Sequence, residues 1–174
     1  YLIHKMIELK HPWATKYHIN ITTNGLLYFQ PKVQEYIKKN KRNLLLCITI
    51  DGNKKLHDSC RVDFNGNGSY DKAVAALKHY KTYWHGFCSS KLTLAPQNIE
   101  YAYEALKEMV DSGYYDDLNF NTVFEEGWTL DHAKIYYNQL KMLADYLVDT
   151  DQLLKYTPNE LNPLFGHPMD AREN

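Results

Sequence analysis

The residues best suited to chemistry fall in four short clusters, each following a strand-like run: Thr22-Thr23-Asn24-Gly25, Thr49-Ile50-Asp51-Gly52, Thr93-Leu94-Ala95-Pro96-Gln97-Asn98 and Thr122-Val123-Phe124-Glu125-Glu126. Hydroxyls and amides gathered at strand ends can hold a polar ligand that carries both an amine and a carboxylate. The same residue types also make turns and cap helices, so this alternative stays open. A second constellation, His57, Asp58 and Arg61, follows Asp51-Gly52 in what reads as a loop. Arg61 offers a planar fork for a carboxylate or phosphate; its plainer use is a surface ion pair with Asp58 or Asp63. His57-Asp58 matches one step of a metal phosphohydrolase site, and His57 with Cys60 makes an H-x-x-C pair, but neither has the further ligands a metal needs. Asp51 and Glu125 are the carboxylates that would serve as acid and base of a barrel hydrolase.

Three cysteines, Cys47, Cys60 and Cys88, lie 13 and 28 residues apart. That spacing is neither a disulfide framework nor a close-set metal motif, and it points to reduced thiols and a cytoplasmic setting. The other histidines show no ligand spacing, and many of the fifteen tyrosines fall on helical stripes, where packing accounts for them. A net charge of -1 argues against an electrostatic nucleic-acid or membrane binder. With 44% hydrophobic residues, the 174-residue chain can bury the core of one domain. No apolar run approaches the roughly 18 residues a membrane span requires. The first residue is Tyr1, already inside a helical pattern, and no signal peptide opens the sequence.

The elements that must position these residues alternate. Helical spacing is expected over 1–9, from Pro31 to about residue 39, from Ser69 as N-cap to Trp84, from Ile99 to a C-cap at Gly113, and from Thr129 onward. On the last helix, Leu130, Ala133, Tyr137, Leu140, Ala144 and Leu147 form the expected inward stripe. Strands are expected over 17–22, 44–50, 90–95 and 118–124, and the apolar run 44–50 (LLLCITI) reads as buried on both faces. Beyond about residue 150 the periodicity fades, and Pro158, Pro163 and Pro168 mark a linker. Strands separated by helices make an α/β fold with parallel β/α repeats, either an open doubly wound sheet or a barrel. Both place ligands at the carboxyl ends of the strands, where the four clusters lie.

Between residues 19 and 70 the segments combine into a specific order: INITTNGLLY, a helix, LLLCITIDGNKKLHDSCR, then GNGSYDKAVAAL. This series resembles the radical S-adenosylmethionine (SAM) superfamily. It is most similar to the peptide and protein maturases with C-terminal SPASM domains, such as anaerobic sulfatase-maturing enzymes and coenzyme PQQ synthesis protein E. KLTLAPQNIEYAYEAL and LNFNTVFEEGW continue the resemblance over about residues 1–150. It implies an incomplete (β/α)6 TIM-like barrel. In the family a [4Fe–4S] cluster donates an electron to SAM, giving a 5′-deoxyadenosyl radical that abstracts hydrogen from a peptide or protein. It further implies that Thr49, two residues before Asp51-Gly52, and Arg61, twelve residues after Thr49, grip the SAM carboxylate. Thr22 and Asn24 then lie on the edge that approaches SAM, and Phe124 packs on the adenine.

Two family signatures, the C-x-x-x-C-x-x-C cluster motif and a Gly-Gly-Glu-Pro segment, do not occur in the sequence. The resemblance therefore implies an internal piece: residues 1–150 as about the third to sixth β/α units, with 151–174 leading toward a C-terminal domain. Such a piece is expected to be inactive alone, to bind neither cluster nor SAM, and to self-associate through exposed sheet edges. The parent would act on a peptide or protein, with no nucleic-acid or membrane partner. The alternative is a non-catalytic β/α scaffold that binds a peptide or partner protein.

Overall fold

The computed structural model describes residues 2–10, 17–124 and 127–156. Helix α1 (Leu2–Glu8) precedes β1 (Ile19–Thr23), α2 (Pro31–Asn40) and β2 (Leu44–Ile48). Then come α3 (Lys54–Cys60), α4 (Tyr70–Tyr83), β3 (Leu92–Leu94), a 3-10 turn (Ile99–Tyr101), α5 (Ala102–Ser112), β4 (Phe120–Thr122) and α6 (Leu130–Asp149). Pro31 opens α2 at a position whose N–H would lack a partner in any case, and Gly113 closes α5 in the left-handed region at φ 67°. At α6, Thr129 and His132 cap each other reciprocally: Thr129 Oγ1 accepts the His132 N–H at 3.3 Å, and His132 Nδ1 accepts the Thr129 N–H at 3.2 Å.

The strands pair in parallel, β1 with β2 from Ile19↔Leu44 to Thr23↔Ile48 and β3 with β4 from Leu92↔Phe120 to Leu94↔Thr122. The continuous sheet expected from the repeats is instead two two-stranded sheets among the described residues. The reason lies at the junction, where the Asp51 carboxylate accepts the Thr93 N–H at 3.1 Å, a donor that a neighbouring strand's carbonyl would otherwise take. Nearby, the Cys47 thiol donates to the Ser89 carbonyl at 3.4 Å.

Alternation along the strands separates two faces. Ile19, Leu44, Leu46 and Ile48 are buried against α2 and α4 residues such as Ile37, Ala73, Ala76, Leu77 and Tyr80. On the other face Asn20 and Thr22 are exposed, whereas in the run 44–50 Leu45 alone is exposed and Cys47 and Thr49 on its face are buried, in keeping with a strand covered on both sides. Helix α6 is also rotated from its expected stripe. Leu143 and Leu147 are buried, whereas Leu130 and Tyr137 are 74% and 69% exposed. Among the described residues the helix packs chiefly on α5 and the 3-10 turn, which covers one side of it. No helix among the described residues is long and apolar enough to cross a membrane. The linker prolines Pro158, Pro163 and Pro168 lie outside the described residues.

Candidate functional site

The site forms where the chain leaves β2. The Thr49 N–H donates to the Thr23 carbonyl at 2.8 Å, extending the β1–β2 pairing one step past the strand. Gly52 then turns the backbone at φ +73°, and a Cβ there would sit 2.5 Å from the Ala105 methyl, so the turn demands glycine twice over. Residues 54–60, expected as loop, are helix α3, started by Asn53, whose Oδ1 accepts the Leu56 N–H at 3.0 Å. The helix holds Leu56 as its one large aliphatic residue, so no apolar stripe announced it.

Helical spacing turns His57 inward and brings Arg61 one turn later, its N–H on the His57 carbonyl at 2.8 Å. His57 is 1% exposed. Its Nδ1 accepts the Asp51 backbone N–H at 3.1 Å, and its Nε2 bonds Ser69 Oγ at 3.0 Å. Burial pushes the His57 pKa below its ordinary value of 6.5, and the adjacent Arg61 cation adds to this against the opposing pull of Asp51 and Asp58. Asp51 is 4% exposed. One oxygen of its carboxylate takes the Thr93 N–H, and the other takes Arg61 Nε. Both oxygens are thus engaged in holding the site together, which leaves the acid–base reading of Asp51 without support; Glu125, its supposed partner, lies outside the described residues.

Arg61 therefore pairs with Asp51, not with Asp58 or Asp63. Asp58 Oδ1 accepts the Tyr70 N–H at 2.8 Å and so caps α4 in place of Ser69, whose own side chain makes no cap bond. The carboxylate lies flat against Gly68, where a Cβ would come within 2.1 Å of its carbon. Asp63 binds Lys72 at 2.9 Å. With Nε on Asp51, the two Nη nitrogens of Arg61 have no hydrogen-bond partner among the described residues. Thr49 is 7% exposed, and its hydroxyl likewise has no hydrogen-bond partner among them. A buried hydroxyl left unsatisfied costs about 1–3 kcal/mol. A guanidinium edge and an unsatisfied hydroxyl are both groups of the kind that bind a carboxylate.

Of the other candidates, Asn24 Oδ1 accepts the Leu26 N–H at 3.2 Å and makes the turn after β1. Thr22 lies opposite Cys47 and lines a groove of about 400 Å³ with Asn20, Lys91, Asn119 and Asn121. Thr22, Asn24 and Thr49 thus share the adjoining ends of β1 and β2. Phe124 stands apart past β4, 98% exposed, beside a shallow hollow lined by Trp128 and Tyr136; no hydrogen bond or ring contact among the described residues joins it to Thr49 or Arg61.

The thiols are ill suited to iron. Burial raises the pKa of Cys47 and pushes Cys88 up to about 12, and partial shielding of the otherwise exposed Cys60, with the nearby Asp51 charge, raises that of Cys60. Among the described residues no three His, Cys, Asp or Glu side chains converge to hold a metal ion. These residues do not fit an iron–sulfur cluster.

No family model and no curated protein matches the chain. Solved structures do. Native anSMEcpe with bound AdoMet superposes with a TM-score of 0.71 at 19% identity, covering 94% of this chain and 46% of that one. The same protein with AdoMet and the Kp18Cys peptide gives 0.72 at 20% identity, covering 94% and 47%. With AdoMet and the Cp18Cys peptide it gives 0.71 at 19%, again covering 94% and 47%. That protein is an anaerobic sulfatase-maturing enzyme of the radical SAM, SPASM type. The likeness is one of fold, and the chain spans about half the length of the structures it matches.

Proposed function

We propose that this chain forms part of a radical SAM maturase, supplying one wall of an incomplete (β/α)6 barrel with Thr49 and Arg61 as the clamp for the SAM carboxylate. The carrying observation is that the residues after β2 supply a buried hydroxyl, Thr49, and a guanidinium, Arg61, whose Nη groups are not hydrogen-bonded among the described residues, with Asp51 two residues after Thr49 holding Arg61 Nε. The fold shared with AdoMet-bound anSMEcpe supports the reading. SAM, when bound, supplies the hydrogen-abstracting chemistry of such enzymes. The residues here bind and orient: Thr49 donates its O–H to one carboxylate oxygen, and Arg61 offers its outer N–H groups, held in place by Asp51. Thr22 and Asn24 border the same edge. Phe124, exposed at the end of β4, is the apolar surface offered to the adenine. The substrate class is a peptide or protein, in keeping with the peptide complexes of anSMEcpe. The three free thiols support a reducing, cytoplasmic setting. The iron–sulfur cluster of such a maturase would rest on residues other than those described, and the isolated chain is inactive on this reading.

The test is SAM binding by the full-length protein. Arg61→Ala is expected to weaken it by about 10- to 100-fold, the worth of a charge-assisted hydrogen bond. Thr49→Val, which removes the hydroxyl at constant shape, should weaken it by a similar factor without loss of stability. Unchanged affinity in both variants would reject the clamp.

A further inference from the structure

His57 bonds, through its two ring nitrogens, two segments that frame Arg61. The Asp51 backbone N–H can only donate, so Nδ1 must carry a lone pair, and the single ring hydrogen of the neutral imidazole sits on Nε2. Nε2–H then donates to Ser69 Oγ, and the Ser69 hydroxyl donates to the Arg61 carbonyl at 2.9 Å. The Ser69 N–H reaches the same carbonyl at 3.2 Å. Arg61 Nε closes the circuit on the Asp51 carboxylate. Every proton in the ring Asp51–His57–Ser69–Arg61 has one permitted position. We infer that His57 is a positioning residue for Arg61, and that its protonation loosens the hold on the SAM carboxylate. The inference rests on the clamp reading above.

A proton added at Nδ1 faces the Asp51 N–H, and one of the two must move. Movement of the Asp51 backbone carries with it the carboxylate that orients Arg61. The charged and titratable groups around the imidazole are Asp51 after β2, Asp58 and Cys60 on α3, Arg61 at its end and Tyr70 at the start of α4, whose ring centroid is 5.7 Å away. Burial and Arg61 keep the ring neutral at physiological pH.

The experiment is equilibrium dialysis of SAM against the full-length protein between about pH 5 and pH 8, the range over which histidine titrates. Wild-type affinity is expected to fall toward the acid end of this range, beneath the ordinary histidine value of 6.5, approaching tenfold per unit for one coupled proton. Titration of SAM itself is common to all variants and cancels. His57→Asn keeps an acceptor near the Nδ1 position but cannot take the proton; it should bind a few-fold more weakly at neutral pH and lose the acid fall. Retention of the wild-type profile in His57→Asn overturns the role of His57 while leaving the clamp standing. Arg61→Ala binding like wild type at every pH overturns the clamp instead. Should His57→Asn fail to fold, the ¹⁵N signals of the wild-type ring decide. An Nε2–H tautomer that gains its proton in step with the loss of affinity is the expected result, and an Nδ1–H tautomer overturns it.

Discussion

The guanidinium of Arg61 reaches back ten residues to the carboxylate of Asp51, and this single pairing ties the end of α3 to the turn after β2. Asp51 is 6% exposed at its side chain and Arg61 34%, so the pair is half sheltered and stronger than a surface bridge. The same carboxylate holds β3 through the Thr93 N–H. Asp51→Ala removes both and leaves a half-buried N–H unsatisfied. It is expected to lower stability by about 2–3 kcal/mol after allowance for the solvent access of Arg61. Asp51→Asn keeps an acceptor for Thr93 and should cost less. Urea unfolding of the two variants checks the ranking; equal midpoints would mean that the Thr93 bond contributes little and the charge is what matters.

Local signals in the sequence were readable because each has a local cause. Pro31 fixes a first helical turn, Gly113 takes the left-handed backbone, and Thr129 accepts the amide three residues on. Helix α3 was not readable, because Leu56 alone cannot make a stripe and Asn53 was the one cue. The buried face of α6 departs from its expected stripe for a different reason. Leu130 and Tyr137 are apolar at helical spacing, but periodicity cannot tell which side another element covers. The candidate site was legible as residue types at strand ends, and Thr49 and Arg61 stood out by their spacing. Their connection was not legible, since it depends on the Gly52 turn placing Asp51 under α3. Read as helical, His57 and Arg61 would have appeared one turn apart, which is the signal that could have joined them.

The hairpin that carries the chain from Arg61 to Ser69 has its own pH dependence. Asp63 accepts the N–H groups of Asn65 and Asn67 at 2.9 and 3.1 Å and the Lys72 ammonium at 2.9 Å. The Lys72 bond first, then these N–H groups, lower its pKa from 3.8 to about 2. A carboxylate depressed on folding adds stability that is fully present above its unfolded value and is lost as pH falls through the folded one. The contribution of Asp63 is thus lost between about pH 4 and pH 2. An NMR titration of its side chain should show a midpoint near 2. In Lys72→Met the midpoint should move up, yet stay below the unfolded value because the two N–H bonds remain. A midpoint unmoved by the substitution would mean that the backbone alone sets the shift.

Thiol reactivity tests the reading of the cysteines. Cys47 and Cys88 are buried and Cys60 is exposed. All three are held protonated, Cys88 most strongly with a pKa of about 12. Since the thiolate is the reactive form, alkylation near pH 8 should label Cys60 alone, and slowly for a free thiol. The other two should react after unfolding. The same protonation disfavours iron, whose ligands must be thiolates. Anaerobic reconstitution of this chain with iron and sulfide should therefore leave it without a stoichiometric cluster. A [4Fe–4S] absorbance at one cluster per chain would show that these thiols can rearrange into a ligand set, against the full burial of Cys88 in the core.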